Sequence, residues 1–136
     1  MTGRLAPAGA VRTAGDDDVV PAMRVLDGSL LDVDAATVRR RLEDGTALVA
    51  ADGLVRGVLV GARRDDGVHV EALAVRRPDR RRGYGSALLD VAAGRWDRVT
   101  ARFRPEVRGF YEAAGFRVEA VGDGRERLRG VRAASD

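Results

Sequence analysis

Cysteine is absent from this chain, and so are lysine, asparagine, glutamine and isoleucine. Without cysteine there can be no disulfide, no thiolate metal site and no thiol nucleophile. Histidine occurs once, at His69, which also argues against a transition-metal site built from several imidazoles, so no metal is expected. Aromatic residues make up only 4%, too few for the exposed stacking platforms with which many nucleic-acid binders hold unpaired bases. No run approaches the roughly 18 apolar residues of a membrane span. Residues 1–11 lack the continuous apolar core of a signal peptide. A cytoplasmic protein with no membrane partner and no nucleic-acid partner is the expectation. Because lysine is missing, all 24 basic residues are arginine; this resembles the codon usage of a GC-rich genome, and arginine abundance by itself says little.

What is present describes an ordinary globular chain. With 45% apolar and 33% charged residues, it is too apolar for a disordered segment. A length of 136 residues suits one domain over residues 1–136, since two would each be under-buried. Residues 1–9 and 133–136 are expected to fray. The formal charge of +3 is small, but unevenly spread: residues 1–68 hold 9 arginines against 11 acids, residues 69–136 hold 15 against 10. An anion site is therefore expected in the second half.

Residues 10–13 read as a short strand, and Asp16, Asp17 and Asp18 offer capping carboxylates ahead of a helix over 19–26. After a loop at 28–33, Asp34 caps a helix over 35–44 stopped by Gly45, with Arg39, Arg40 and Arg41 on its wet face. Two β-rich runs, 46–51 and 54–61, flank the hairpin signal Asp52-Gly53. A third run, 68–75, follows a turn at 65–67. Its alternation puts Val68, Val70, Ala72 and Ala74 on one face and His69, Glu71, Leu73 and Val75 on the other. Helical spacing over 83–95, a buried-type strand at 99–103, a helix at 106–114 opened by Pro105 and closed by Gly115, and a hairpin of 116–121 with 125–131 complete the order. This is a mixed α/β pattern with one strand-helix-strand crossover, and such crossovers place a loop at a strand's C-terminal end, where α/β ligands sit.

That loop is Arg80-Arg81-Arg82-Gly83-Tyr84-Gly85. Between a strand and a helix it supplies free N–H groups, a positive helix terminus, and glycines that let a bulky anion approach the backbone. Arg76 and Arg77 stand nearby to add phosphate charge. The bland alternative is a glycine turn whose arginines are merely solvated.

The stretch L-A-V-R-R-P-D-R-R-R-G-Y-G-S-A-L-L resembles the acetyl-coenzyme A motif of the GCN5-related N-acetyltransferase (GNAT) family, Q/R-x-x-G-x-G/A, with Arg80, Gly83 and Gly85 at its specified positions. Residues 109–116, G-F-Y-E-A-A-G-F, are similar to the same family's Tyr-x-x-x-Gly-Phe helix end. The resemblance implies a GNAT-like mixed, mostly antiparallel sheet of six to seven strands with about four helices, and a cofactor held in a V-shaped gap between strands 4 and 5. It implies acetyl-coenzyme A as cofactor, contacted by Leu73, Ala74, Val75, Arg80, Arg81, Arg82, Gly83, Tyr84, Gly85 and Ser86. Arg104 stands where the family often has an asparagine on the cofactor arm.

Direct acetyl transfer to an amine needs a base, donors for a developing oxyanion, and a proton for the departing thiolate. By resemblance Tyr111 is the proton donor, and Glu71 and His69 occupy strand positions from which relatives supply a base, Glu71 being the first candidate. Each also has a structural alternative: Glu71 as an arginine's ion-pair partner, His69 as a surface or half-buried ring, Tyr111 as a core aromatic. The oxyanion donor is expected among the backbone N–H groups of residues 73–75. The expected partner is a small-molecule or protein amine; a homodimer stays open. A non-catalytic acetyl-coenzyme A sensor and an arginine-rich nucleic-acid module are the other readings.

Overall fold

The computed structural model describes residues 10–28, 33–65, 67–123 and 125–133. The ends 1–9 and 134–136, and most of the loop at 28–33, lie outside them. Seven strands form one sheet: β1 (Val11–Thr13), β2 (Ala47–Asp52), β3 (Leu54–Arg64), β4 (Gly67–Val75), β5 (Arg98–Phe103), β6 (Arg117–Ala120) and β7 (Leu128–Ala133), in the order β1-β2-β3-β4-β5-β7-β6. All neighbours are antiparallel except β4 and β5. The parallel pair follows from its connection: helix α3 (Tyr84–Arg95) carries the chain back across the sheet, as parallel neighbours require. The Asp52-Gly53 turn joins β2 to β3 with Gly53 at φ 79°, a conformation that glycine adopts without steric cost.

Helices α1 (Val19–Asp27) and α2 (Ala35–Asp44) pack on one face of the sheet with Val49, Val58, Val60, Ala72 and Ala74. On the other face α3 and α4 (Arg108–Ala113) meet Leu48, Leu59, Val68, Val70, Val99 and Phe103. Leu48, Leu59, Leu88 and Leu89 are fully buried, each stabilising the fold by roughly 1.5–3 kcal/mol. Helix α2 starts and stops as its sequence predicts: the Asp34 carboxylate accepts the Thr37 N–H at 2.8 Å, and Gly45 takes the left-handed C-cap at φ 76°.

Three local expectations are corrected. Pro105 opens a separate 3-10 turn, Pro105–Val107, before α4 begins at Arg108. Ala133, expected in a frayed tail, pairs with Arg98 as the last residue of β7. The strict alternation expected along β4 is broken by a bulge: Val60 pairs with Ala72 and Gly61 with Val70, leaving Glu71 as the extra residue. Val68 and Val70 therefore face the α3 core, whereas Ala72 and Ala74 face the α1/α2 core. Leu73 and Val75 move to the α3 side. An alternation count carried across a bulge inverts every later position.

Candidate active site

The parallel register of β4 with β5 runs from Gly67↔Arg98 to Val70↔Ala101 and ends there. Beyond that rung the last five residues of β4 have no strand on the β5 side among the described residues, so the two strands part. The backbone direction of this open edge follows from the ladder with β3. Arg76 N–H donates to the Arg56 carbonyl at 2.8 Å, which makes the 56/76 and 58/74 rungs hydrogen-bonded ones and leaves Leu73 and Val75 with their backbone groups turned to the gap. Ala74 turns its own groups to β3. Of the three residues expected to supply an N–H donor, only Leu73 and Val75 can do so. The Val75 carbonyl is already occupied, since Arg80 Nε donates to it at 3.1 Å.

At the C-terminal end of β4 the chain makes a 3-10 turn, Arg77–Asp79, and then the glycine loop. Arg81 (φ 66°) and Gly83 (φ 88°) both take left-handed backbone conformations. The consequence is a run of unpaired donors: among the described residues the backbone N–H groups of residues 81–86 have no acceptor, the first helical bond being Ala87 N–H to Gly83 C=O at 2.9 Å. Six consecutive free N–H groups at the start of a twelve-residue helix are a cradle for a phosphate group. Gly85 is buried, and a Cβ there would stand 3.1 Å from the Phe110 ring, so no larger residue fits without moving that ring. Tyr84 is also buried in the α3 core, which leaves its N–H, not its ring, for a ligand. Arg80, Arg81, Arg82 and Arg104 are exposed, and Ser86 is half-buried.

Asp79 anchors the loop from beneath. It is buried, and its carboxylate meets Arg56 at 2.8 Å and Arg76 and Arg82 at 3.5 Å each. Arg76 was expected to contribute phosphate charge; it points instead toward this carboxylate. One carboxylate shared by three guanidiniums leaves a net positive site above the turn, and Asp79 Oδ2 has no hydrogen bond of its own. In the sequence Asp79 is a lone acid among five arginines, a pattern that carries no signal of a buried anchor.

The two candidate bases share the α2 face of β4 but differ in their surroundings. Glu71 is held by Arg41 of α2, Nε to Oε1 at 2.7 Å and Nη2 to Oε2 at 3.1 Å. That fork keeps the Glu71 carboxyl below its usual range, against the opposing effect of burial. It also takes Arg41 off the wet face on which helical spacing had put it: the Arg41 side chain is only 16% exposed. His69 is half-buried, and its Nδ1 lies 2.8 Å from Thr100 Oγ1 on β5, while Nε2 has no partner among the described residues. Burial, followed by the charges of Arg64 and Arg102, holds the imidazole below its ordinary range, although Glu71 pulls the other way. The ring is therefore neutral at pH 7.

Tyr111 stacks on Phe103 with ring centroids 4.0 Å apart and a 5° interplanar angle, and meets Phe110 and Phe116 edge-on at 5.1 and 5.3 Å. Its hydroxyl has no hydrogen-bond partner among the described residues, and burial pushes its pKa up to about 12. Gly130 makes the aromatic stack possible, since a Cβ there would stand 2.9 Å from Phe103 and 3.1 Å from Phe116. Phe110, which the sequence did not single out, is 37% exposed and covers the start of α3 at Gly85. The structure thus gathers residues 71–75, the loop 80–86 and Tyr111 with Phe110 around the end of β4.

Comparison with known proteins points the same way. Residues 43–118 match the family model described as an acetyltransferase (GNAT) domain, which spans both the parting strands and the glycine loop. No curated protein sequence matches the chain. Among solved structures, an acetyltransferase of the GNAT family from Bacillus cereus superposes with a TM-score of 0.78 at 17% identity, covering 90% of this chain and 95% of that one. The ribosomal-protein-S18-alanine N-acetyltransferase from Escherichia coli gives 0.73 at 16% identity, covering 91% and 92%. A GNAT-like decarboxylase in complex with isobutyryl-CoA gives 0.75 at 15% identity, covering 91% and 98%. Likeness at such low identity is likeness of fold.

Proposed function

The chain belongs to the acetyltransferase (GNAT) family, and from that premise we propose that it is an N-acetyltransferase that uses acetyl-coenzyme A and passes the acetyl group directly to a primary amine. The observation that carries this reading is the run of free N–H groups over residues 81–86 at the mouth of the gap between β4 and β5. A pyrophosphate fits such a cradle: Arg81 can fork onto its oxygens, Arg80 keeps its Nη groups for them while its Nε holds the Val75 carbonyl, and the exposed Arg82 reaches them from beside Asp79. Phe110 offers an apolar wall for the arm that runs down into the gap, and the exposed Arg104 at the end of β5 can meet its polar atoms. When bound, acetyl-coenzyme A supplies the acetyl thioester.

For each remaining requirement the site offers a candidate group. An alkyl amine, with a pKa near ~10.4, arrives mostly protonated. His69 is the better placed of the two candidates: its pKa is lowered, its Nε2 has no partner among the described residues, and it sits on the next-to-last rung before the strands part. Glu71 is committed to Arg41, whose fork holds its carboxyl below the usual range. In the tautomer that carries its proton on Nδ1, the ring donates to Thr100 and leaves the Nε2 lone pair to take the proton. Leu73 or Val75 N–H is oriented to hold the oxygen that gains charge. The Tyr111 hydroxyl, with its raised pKa, is a weak acid. It acts on the departing sulfur chiefly as a hydrogen-bond donor, with full proton transfer left to solvent or to the imidazolium formed at His69.

The direct test is release of coenzyme A thiol from acetyl-coenzyme A in the presence of a panel of amines, with the acetylated product identified by mass spectrometry. Because the chain has no cysteine, a thiol reagent reports coenzyme A alone. Amine-dependent release with an N-acetyl product is expected. Tight binding of acetyl-coenzyme A without release for any amine would leave only a sensor.

A further inference from the structure

His69 forms part of the wall of a cavity of about 680 Å³ on the sheet face opposite α3. Its other polar walls are Arg64, Asp65, Arg98, Thr100, Arg102 and Arg129, four cations against one carboxylate. The arginines converge for a structural reason. On β5, Val99 and Ala101 are buried in the α3 core, so Arg98, Thr100 and Arg102 must point to the opposite face. Arg129 is the register partner of Arg102 on β7, and Arg64 is the partner of Gly67 at the start of β4. Helices α1 and α2 pack on β2, β3 and β4, leaving this cavity open.

The charges do not balance within the protein. Arg64, Arg98 and Arg102 have no carboxylate within ion-pair distance among the described residues, and Arg129 has only Glu119 at 3.4 Å. Asp65, the one acid among the lining residues, makes no ion pair with them among the described residues, and Glu71 on the same face is taken by Arg41. Four guanidiniums around one concave site repel one another unless an anion enters. A polyamine or a lysine-rich segment would meet that same repulsion. His69 and Thr100, which line the cavity, form the next-to-last rung before β4 and β5 part, so a molecule held there can present an amine to His69.

We propose that the acceptor is an amine that itself carries an anion, a carboxylate or a phosphate, and that Arg64, Arg98, Arg102 and Arg129 select it. The inference rests on the acetyl-transfer reading above and narrows it. The guanidinium fork matches carboxylate and phosphate oxygens two at a time. The same positive field favours the neutral form of the acceptor amine, which is the form that attacks.

Matched acceptors test this. The small pairs are glycine with glycinamide and phosphoethanolamine with ethanolamine; the peptide pair has a free N-terminus followed by aspartates or by lysines. The anionic member of at least one pair should show a kcat/KM higher by about tenfold or more, the value of one charge-assisted hydrogen bond, and which pair responds tells a small acid from an acidic peptide. Arg64→Gln and Arg102→Gln should each shrink that ratio without changing the Kd for coenzyme A, and Arg102→Glu should abolish or reverse it. Equal or better turnover of the neutral or cationic member in every pair, or a ratio indifferent to all three substitutions, overturns the proposal while acetyl transfer stands. Titrating coenzyme A-saturated protein with the same compounds separates the converse case. Preferential binding of the anionic members with no thiol release would keep the anion site and remove the transfer reading.

Discussion

The imidazole Nδ1 of His69 and the hydroxyl of Thr100 lie 2.8 Å apart, across the next-to-last rung that joins β4 to β5. Among the described residues the contact spans the one parallel pair of strands, just below the gap, and holds the ring with Nε2 unpaired. His69→Gln is expected to lower kcat by roughly 10²- to 10⁴-fold, the usual worth of a positioned base. Because the imidazole pKa lies below its ordinary value near 6.5, the acid limb of kcat/KM should fall below that pH. The limb should vanish in His69→Gln. Thr100→Val keeps the shape and removes the hydroxyl; a smaller loss of kcat with the limb shifted is expected, since Thr100 acts through the ring.

Glu71 is expected to behave as a stabilising partner. Glu71→Gln leaves the Arg41 guanidinium with a neutral amide and should cost about 1–3 kcal/mol, read as a lower urea midpoint. The folded-state carboxyl pKa is depressed, so this stabilisation is fully present above the unfolded pKa near 4.5 and is lost as pH falls through the lower folded value. The difference in stability between wild type and Glu71→Gln should accordingly shrink in acid. The acid limb of the rate profile should survive in Glu71→Gln; its disappearance there would return the base to Glu71.

For Tyr111 the expectation is a chemical effect without a binding effect. Tyr111→Phe preserves the stack on Phe103 and should lower kcat by roughly 10- to 1000-fold with little change in KM. An unchanged kcat would make the ring purely structural.

Asp79 lies under three guanidiniums. Asp79→Ala leaves Arg56, whose side chain is 20% exposed, without its ion-pair partner, a loss of about 3–5 kcal/mol for a broken buried pair. Urea denaturation measures that loss. Calorimetry at a temperature where the variant is folded should show weaker coenzyme A binding, because the turn that presents residues 81–86 is no longer held. Unchanged affinity would mean that the loop keeps its shape without the carboxylate.

Local signals carried much of this architecture. Asp34 and Gly45 bracket α2, Asp52-Gly53 turns β2 into β3, and Arg80, Gly83 and Gly85 mark the loop ahead of α3. Apart from the local 3-10 turn at Pro105, the misreadings have a common physical origin, in contacts between residues distant along the chain. The bulge at Glu71 depends on pairing with Val60 and Gly61, which no period-two count contains. Arg41 leaves the wet face because Glu71 stands thirty residues further on, and Arg56 reaches Asp79 across twenty-three. The cationic cavity was invisible for the same reason: Arg64, Arg102 and Arg129 are scattered in sequence and meet only through strand register.

That residues 80–86 hold the pyrophosphate of acetyl-coenzyme A is tested most directly by calorimetric titration of coenzyme A into wild-type protein and Gly83→Asp. Gly83 sits at φ 88° as the N-cap of α3, where a side chain is strained and a carboxylate would face the incoming phosphates. One-to-one binding to the wild type, weakened by about 100-fold or more in a variant that still unfolds cooperatively, is the expected result. Equal affinity in the two proteins, or no binding to the wild type at millimolar coenzyme A, would contradict it.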